Sequence, residues 1–215
     1  ASAASVDVSD LEDDNITWKV TLNDYDEIKS DGDLIIGGSA TIDGVTIVDG
    51  CYTQSGFNIP SYLDYNGRTY EVTVIGANAF VEKNYLVFGN LTLPKNLKEI
   101  GSSAFSGTRI YGVVDIPDSV TAIGASAFKN CKGITQVNLP DGFLSIANNT
   151  FEQCESLITV NSSSNLIDIG ASAFYKCESL YNINIGKDTN IIGNNAFNNC
   201  TGLTSITIGD SVTRI

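Results

Sequence analysis

Apolar positions in the second part of the chain recur with a period much longer than that of a helix or a strand. Six copies of a phrase similar to I-G-A-S-A-F at 123–128 occur, and the last five copies are 23 residues apart. A fixed period of this length predicts a solenoid, in which stacked units share one elongated core. We number the units 1 to 6 by their final phenylalanines, which are Phe80, Phe105, Phe128, Phe151, Phe174 and Phe197.

Each unit also carries the pattern L-x-x-I-x-I, whose alternation predicts one short strand per unit, including 137–139, 183–185 and 206–208. Equivalent strands should stack as a parallel sheet, and crossovers of this kind are right-handed. All four prolines directly follow this strand, where a missing N–H ends the ladder. The stretch from Ala127 to Cys131 is long enough for a single helical turn.

A glycine precedes the Ala-Phe phrase in most units, but Ala147 replaces it in unit 4. This exchange predicts that the corner requires a small residue rather than a positive φ. Unit 4 also has Thr150, Ser162 and Ser163 where other units have alanine, an aliphatic residue and proline. We expect a bend or local loosening there.

Three regions follow from these patterns. Residues 1–14 form an acidic lead-in that is expected to be disordered. Residues 15–74 form a β-rich N-terminal cap, with a degenerate first repeat at 57–63 and a hairpin turning at 66–67. Residues 75–215 form the array. Since 215 precedes another expected phrase, either the protein continues or its open end is buried against another copy.

The phrase I-G-x-x-A-F-x-x-C-x-x-L-x-x-I-x-I-P resembles the repeat of BspA-like leucine-rich repeat proteins, also called the Treponema pallidum type. The segment DYNGRTYEVTVIG at 64–76 is similar to the lead-in that often precedes such arrays. The resemblance covers residues 57–215 and leaves 1–50 unexplained. It implies a bacterial protein that is secreted or anchored at the cell surface, and several members act as adhesins. The family has no shared catalytic motif to carry over.

Charge and composition exclude several function classes. The net charge is −13, and no basic stripe is present, so we expect no nucleic-acid partner. Histidine is absent, which removes Ser-His and Cys-His nucleophile pairs and imidazole metal ligands. No apolar run is long enough to form a transmembrane segment. Acids at 24, 26, 31 and 33 do not match a calcium loop. We therefore expect no enzyme, no cofactor and no metal site.

Four of the five cysteines repeat at the 23-residue spacing, and Cys51 lies outside this row. Ligands one repeat apart line up and cannot surround an ion. Parallel Cβ vectors also separate neighbouring residues too widely for a disulfide. We expect a row of buried free thiols at Cys131, Cys154, Cys177 and Cys200.

The outward positions of the predicted strands form a polar, almost uncharged face. Stacked amides of this kind either solvate the sheet or bind a glycan or an extended peptide. Tyr111 and Tyr181 fall at other positions of the repeat and are expected to be partly packed. The favoured function is an adhesin-like extracellular binding protein, and the alternative is an architectural spacer. The candidate ligand-binding residues are Asp115, Gln136, Asn138, Thr159, Asn161, Asn182, Asn184, Ser205 and Thr207.

Overall fold

The computed structural model describes residues 4–9, 16–31, 34–47, 56–81, 89–162 and 166–215. Within these residues the chain forms strands joined by turns, without a helix, and the strands of the repeats are short. The strands are β1 Ala4–Ser9, β2 Ile16–Asp31, β3 Leu34–Ile47, β4 Gly56–Asn58, β5 Tyr62–Tyr65, β6 Arg68–Ile75, β7 Asn90–Thr92, β8 Glu99–Ile100, β9 Tyr111–Asp115, β10 Ala122–Ile123, β11 Gly133–Asn138, β12 Ser145–Ile146, β13 Thr159–Asn161, β14 Asp168–Ile169, β15 Asn182–Ile183 and β16 Ile191–Ile192.

The repeats stack as a β solenoid with two parallel strand rows. The first strand row contains β9, β11, β13 and β15, paired in that order. The second strand row contains β8 and β10, then β12, β14 and β16. The prediction of a β-rich repeat solenoid with a parallel sheet is confirmed. The second row was not predicted, because a two-residue strand is too short to show an alternating pattern.

The turns around each phenylalanine form a third side of the coil, the turn row. The prediction of a helical turn from Ala127 to Cys131 is wrong, because Ser126 and Asn130 have φ values of 60° and interrupt any helix. Alternate N–H groups instead donate to the next unit. Phe128 N, for example, donates to Thr150 O at 2.9 Å. Equivalent bonds from units 2 to 5 all run in this direction.

The core is built around a stack of the six repeat phenylalanines. Consecutive rings lie 5.0 to 5.7 Å apart between centroids, with interplanar angles of 2° to 12°. Such offset stacking is favourable for aromatic rings. The first five rings are fully buried. The stack runs through unit 4, where the hydroxyl of Thr150 donates to Ala147 O at 2.8 Å. A bend at unit 4 stays a prediction, and Ser163 lies outside the described residues.

The glycine corner requires a small residue, as the sequence indicated. Gly124 does not have a positive φ. A Cβ added there would lie 2.5 Å from Ser102 N in the preceding unit. The backbones of adjacent units approach too closely at this corner for an ordinary side chain.

The N-terminal cap closes the first end of the core. Trp18 on β2 is fully buried and packs on Phe57 and Phe80, with ring centroids 5.7 and 6.4 Å away. Strand β4 pairs with β7 in parallel, so the degenerate repeat continues the array. Strands β5 and β6 form the expected hairpin, with positive φ at Asn66 and Gly67.

One expectation about the N-terminal lead-in is corrected by the strands. Residues 1–14 were expected to be disordered, but Ala4–Ser9 forms β1, antiparallel to β2, with Val8 buried. The apolar residues Val6 and Val8 alternate with polar ones, and this short alternation allows the segment to add to the sheet.

Unit 6 departs from the others. Residues 206–208 were expected to form a strand, but the described residues 203–209 have no strand. Phe197, Leu203 and Ile206 are only partly buried, since within the described chain they pack against unit 5 alone. Packing on one side does not hold this segment in the sheet. Continuation beyond Ile215 and end-to-end association stay predictions.

Candidate ligand-binding face

The outward side chains of the first strand row form one surface, which we call the sheet face. Two columns of candidate residues lie on it. Gln136 is in register with Val113 and Thr159, and Thr159 is in register with Asn182. In the second column, Asn138 is in register with Asp115 and Asn161. The structure therefore brings together six of the nine predicted residues, which are Asp115, Gln136, Asn138, Thr159, Asn161 and Asn182.

Four of these residues form a hydrogen-bonded amide ladder. The side-chain amide of Asn161 donates to Asn138 Oδ1 at 2.7 Å, and Gln136 Nε2 donates to the same oxygen at 2.9 Å. Asn138 in turn donates to the carboxylate of Asp115. The ladder fixes these side chains across three units. Further lone pairs on its carboxylate and amide oxygens face solvent as acceptors.

Asn184, Ser205 and Thr207 do not join this ladder. The Asn184 side chain accepts the N–H of Gly186 at 3.0 Å, and its backbone oxygen accepts a hydrogen bond from Ser162 at 2.9 Å. Asn184 therefore caps the turn that follows β15. Ser205 and Thr207 lie in the stretch of unit 6 that forms no strand. Their assignment to a continuous polar face is corrected for this reason.

Exposed apolar side chains border the amide ladder. Tyr181 is 67% exposed, Tyr111 45% and Ile158 48%. Tyr111 is partly packed, as expected, whereas the expectation is wrong for Tyr181, which is mostly exposed beside the sheet face. Ile158 and Tyr181 occupy equivalent positions, and Tyr181 N donates to Ile158 O at 2.9 Å. Both residues stand at the first variable position of the L-x-x-I pattern. An apolar residue at that position was therefore the sequence signal that could have indicated these exposed side chains.

A shallow groove also follows the second strand row. It has a volume of about 510 Å³, and small residues line much of it. Asp168 on β14 lies in this groove, and its Oδ1 is buried without a hydrogen-bond partner. An unpartnered buried oxygen destabilises the folded chain. Nothing in the sequence pattern distinguished Asp168 from the other polar residues of this row.

The repeated cysteines form a thiol ladder inside the coil. All four are free and buried. Each Sγ donates to the phenylalanine carbonyl of the preceding unit at 3.1 to 3.2 Å, as Cys154 does to Phe128 O. Burial raises the pKa of Cys131 to about 12 and that of Cys200 to about 11. These thiols are therefore structural donors and poor nucleophiles at neutral pH.

The acids considered for calcium do not form a described cluster. Asp24 accepts a hydrogen bond from Tyr70 at 2.8 Å and pairs with Arg68 at 2.9 Å. The side chains of Asp26, Asp31 and Asp33 lie outside the described residues, as does Cys51. In the part of the chain that the structure describes, no three His, Cys, Asp or Glu side chains converge as metal ligands would. The same residues contain no helix of the length and apolarity needed to span a membrane.

Comparison with solved structures shows the same fold in other bacterial proteins. A leucine-rich repeat protein from Eubacterium ventriosum is 21% identical, with a TM-score of 0.65 over 86% of this chain and 47% of its own. A leucine-rich cell surface protein from Faecalibacterium prausnitzii is 25% identical, with a TM-score of 0.56 over 88% of this chain and 56% of its own. The chain thus spans about half the length of these two relatives.

Sequence comparison identifies the repeat itself. No curated protein matches the chain significantly. The model of the BspA-type leucine-rich repeat region matches residues 57–114 and 111–215, with six copies. These matches cover well over half of the chain and coincide with the solenoid. The chain therefore belongs to the family of proteins with BspA-type leucine-rich repeats.

Proposed function

We propose that this protein is a non-enzymatic, adhesin-like binding protein that holds an extracellular protein or glycan on its sheet face. The observation that carries the proposal is the amide ladder of Asp115, Asn138 and Asn161 lying beside the exposed side chains of Ile158 and Tyr181. A polar strip next to an apolar one supplies both directional hydrogen bonds and contact area.

The amide ladder lowers the conformational-entropy cost of binding a ligand. Asn138 is already held by Asp115, Gln136 and Asn161, so its side chain has few rotamers left to lose. Side chains ordered before association contribute more of their interaction energy to affinity. The neighbouring Tyr181 supplies a large rigid ring at low entropic cost, as tyrosines at binding surfaces do.

A secreted or surface-anchored location accords with this function. The Faecalibacterium prausnitzii relative is described as a cell surface protein. Family membership supports the same location for this chain, where a sheet face would meet extracellular ligands. Protease treatment of intact cells that express the full gene tests this location. Protection of the protein in intact cells, with digestion only after lysis, would contradict it.

The alternative is an architectural spacer that holds another domain away from the surface. The continuous phenylalanine stack favours this reading, because rings 5.0 to 5.7 Å apart couple every unit to its neighbours. A spacer needs this stiffness but does not need an ordered amide ladder. The ladder is therefore the feature that separates the two functions.

A ligand array with matched variants tests the proposal. The wild-type chain is applied to arrays of glycans and extracellular-matrix proteins, together with Asn161→Ala and Tyr181→Ala. Leu144→Ala is the control, since Leu144 is also exposed but lies next to the second strand row. We expect a ligand whose binding is weakened by both sheet-face variants and not by the control. Silence on every array, or equal loss in all three variants, would contradict binding through this face.

A further inference from the structure

A groove opens between units 2 and 3, where β9 and β11 begin. Its volume is about 580 Å³, and its lining includes Arg109, Tyr111, Asn130 and Gly133. Pockets that hold small ligands are commonly about 300–1,000 Å³. The groove adjoins the sheet face, because Tyr111 starts the strand that ends at Asp115.

The groove stays open because Gly133 has no side chain. Gly133 is in register with Tyr111, and a Cβ added to it would lie 2.8 Å from Tyr111 Cβ and 2.7 Å from Ile110 O. No larger residue fits there without displacing the strand. The tyrosine is 45% exposed, and its register partner in β11, Gly133, has no side chain to cover it.

A single unneutralised cation lies at this groove. Arg109 and Lys132 occupy equivalent positions in units 2 and 3, and the next units carry Glu155 and Glu178 there. Lys132 Nζ pairs with Glu155 at 2.7 Å. Arg109 is exposed and makes no ion pair or hydrogen bond to any other described residue. In a protein with a net charge of −13, Arg109 is therefore a positive charge without a partner among the described residues, and it lines the same groove as the exposed Tyr111.

We propose that this groove binds a carboxylated sugar residue. The planar guanidinium of Arg109 matches a carboxylate in a bidentate manner. The exposed ring of Tyr111 offers an apolar face for the C–H groups of a pyranose, and the amide of Asn130 matches a pair of hydroxyl groups. This inference rests on the proposed function, because the bound sugar would extend along the same strand onto the sheet face.

The charge of Asp115, at the far end of β9, favours a sugar with one acidic group over an acidic peptide. Asp115 lies four residues from Tyr111, or about 13 Å along an extended strand. Its carboxylate repels a second negative charge but accepts hydrogen bonds from neutral hydroxyls. An oligosaccharide with its carboxylate next to Arg109 places neutral hydroxyl groups next to Asp115. A polyanionic peptide would place a second negative charge there.

The experiment uses paired probes that differ only in the acidic group or in its charge. Sialyllactose is compared with its methyl ester, and galacturonate with its methyl ester, by calorimetric and NMR titration of the full chain. The variants are Arg109→Gln and Tyr111→Ala. The control is Lys176→Gln, because Lys176 Nζ lies 5.5 Å from the ring of Tyr175, outside the groove. Fluorescence of the buried Trp18 verifies that each variant is folded.

We expect an acidic probe to bind and its neutral counterpart to bind much more weakly. Arg109→Gln should weaken binding about tenfold or more, the scale of a lost hydrogen bond to a charged group. Lys176→Gln should leave affinity within about twofold. Added salt should weaken binding, since the contact is solvent-exposed.

The outcomes separate this inference from the function on which it rests. Equal binding of acidic and neutral probes, equal effects of Arg109→Gln and Lys176→Gln, or tighter binding of poly-glutamate than of either acidic sugar would overturn the inference. If neither acidic sugar binds but another ligand binds in a manner that requires Asn161, the proposed function holds and this inference is wrong. If no ligand of any kind binds, both are wrong.

Discussion

Replacing Phe128 with alanine tests whether the phenylalanine stack holds the solenoid together. Phe128 is fully buried, and its ring lies 5.3 Å from Phe105 and 5.7 Å from Phe151 between centroids. Its removal leaves a cavity at the centre of unit 3 and ends the stack there. Both interfaces of that unit, with units 2 and 4, are affected.

The expected loss follows from burial. Truncation of a buried phenylalanine to alanine costs about 3–5 kcal/mol of unfolding free energy, because apolar contact is lost and the cavity does not close fully. Phe197 provides the matched control. It is partly buried and stacks on Phe174 alone, 5.4 Å away, so Phe197→Ala should cost about half as much.

The assay is urea denaturation at 25 °C, followed by two probes. Trp18 is the only tryptophan and packs against the first two rings, so its fluorescence reports the cap. Far-ultraviolet circular dichroism reports the strands of the array. A repeat array gains stability from each unit and each interface, so the two signals need not coincide in the variant.

Two results would refute this reasoning. A loss below about 1 kcal/mol for Phe128→Ala would show that stability does not depend on the stack. An equal loss for Phe128→Ala and Phe197→Ala would show that the number of ring neighbours is irrelevant.

The remaining predictions concern the thiol ladder, the glycine corner and the unpartnered carboxylate. Burial raises the pKa of Cys131 to about 12. Stability should therefore be intact below the unfolded thiol pKa of about 8.5 and decline as pH rises towards 12. Urea melts should show Cys131→Thr gaining about 1.4 kcal/mol per pH unit relative to wild type above pH 9, and no such gain would contradict the burial argument. The ladder thiols should also alkylate slowly until the chain unfolds. Gly124→Ala should cost about 1–3 kcal/mol in the same melts, because its Cβ would meet backbone, whereas Ala147→Gly should change stability by less than about 1 kcal/mol. Equal effects would show that the corner is not sterically limited. Asp168→Ala should raise stability by about 1 kcal/mol by removing a buried unpaired oxygen, and the exposed Asp210→Ala should be neutral. A loss at Asp168 would show that its carboxylate is stabilised in the folded chain.

The repeat spacing predicted the parts of the fold that depend on periodicity. The 23-residue interval predicted the shared elongated core, the thiol ladder and the parallel first strand row. The requirement for a small residue at the corner could be inferred from one natural exchange, Ala147 for glycine. These features recur in several consecutive units, so one irregular copy does not hide them.

Features that depend on local backbone geometry could not be predicted. The stretch from Ala127 to Cys131 looked long enough for a helical turn, but Ser126 and Asn130 adopt positive φ, and the backbone bonds to the next unit instead. The exposure of Tyr111 depends on the glycine opposite it in the register, and a bulge in β11 sets that register. Lys132 pairs with Glu155 of the next unit, whereas the equivalent Arg109 has no ion-pair partner among the described residues. Side-chain pairing between units is not visible in a single repeat.

The one-way hydrogen bonds of the turn row have a consequence for how such proteins change over generations. Each unit offers donors of the same kind to the unit after it and acceptors of the same kind to the unit before it. Loss or duplication of one 23-residue segment of the gene therefore rejoins matching partners and leaves no orphan group at the seam. Each such event changes the length of the coil by one repeat, which is about 5 Å, the spacing of adjacent strands. The number of units in such an array can therefore change by whole repeats while the backbone hydrogen bonds of the turn row are kept.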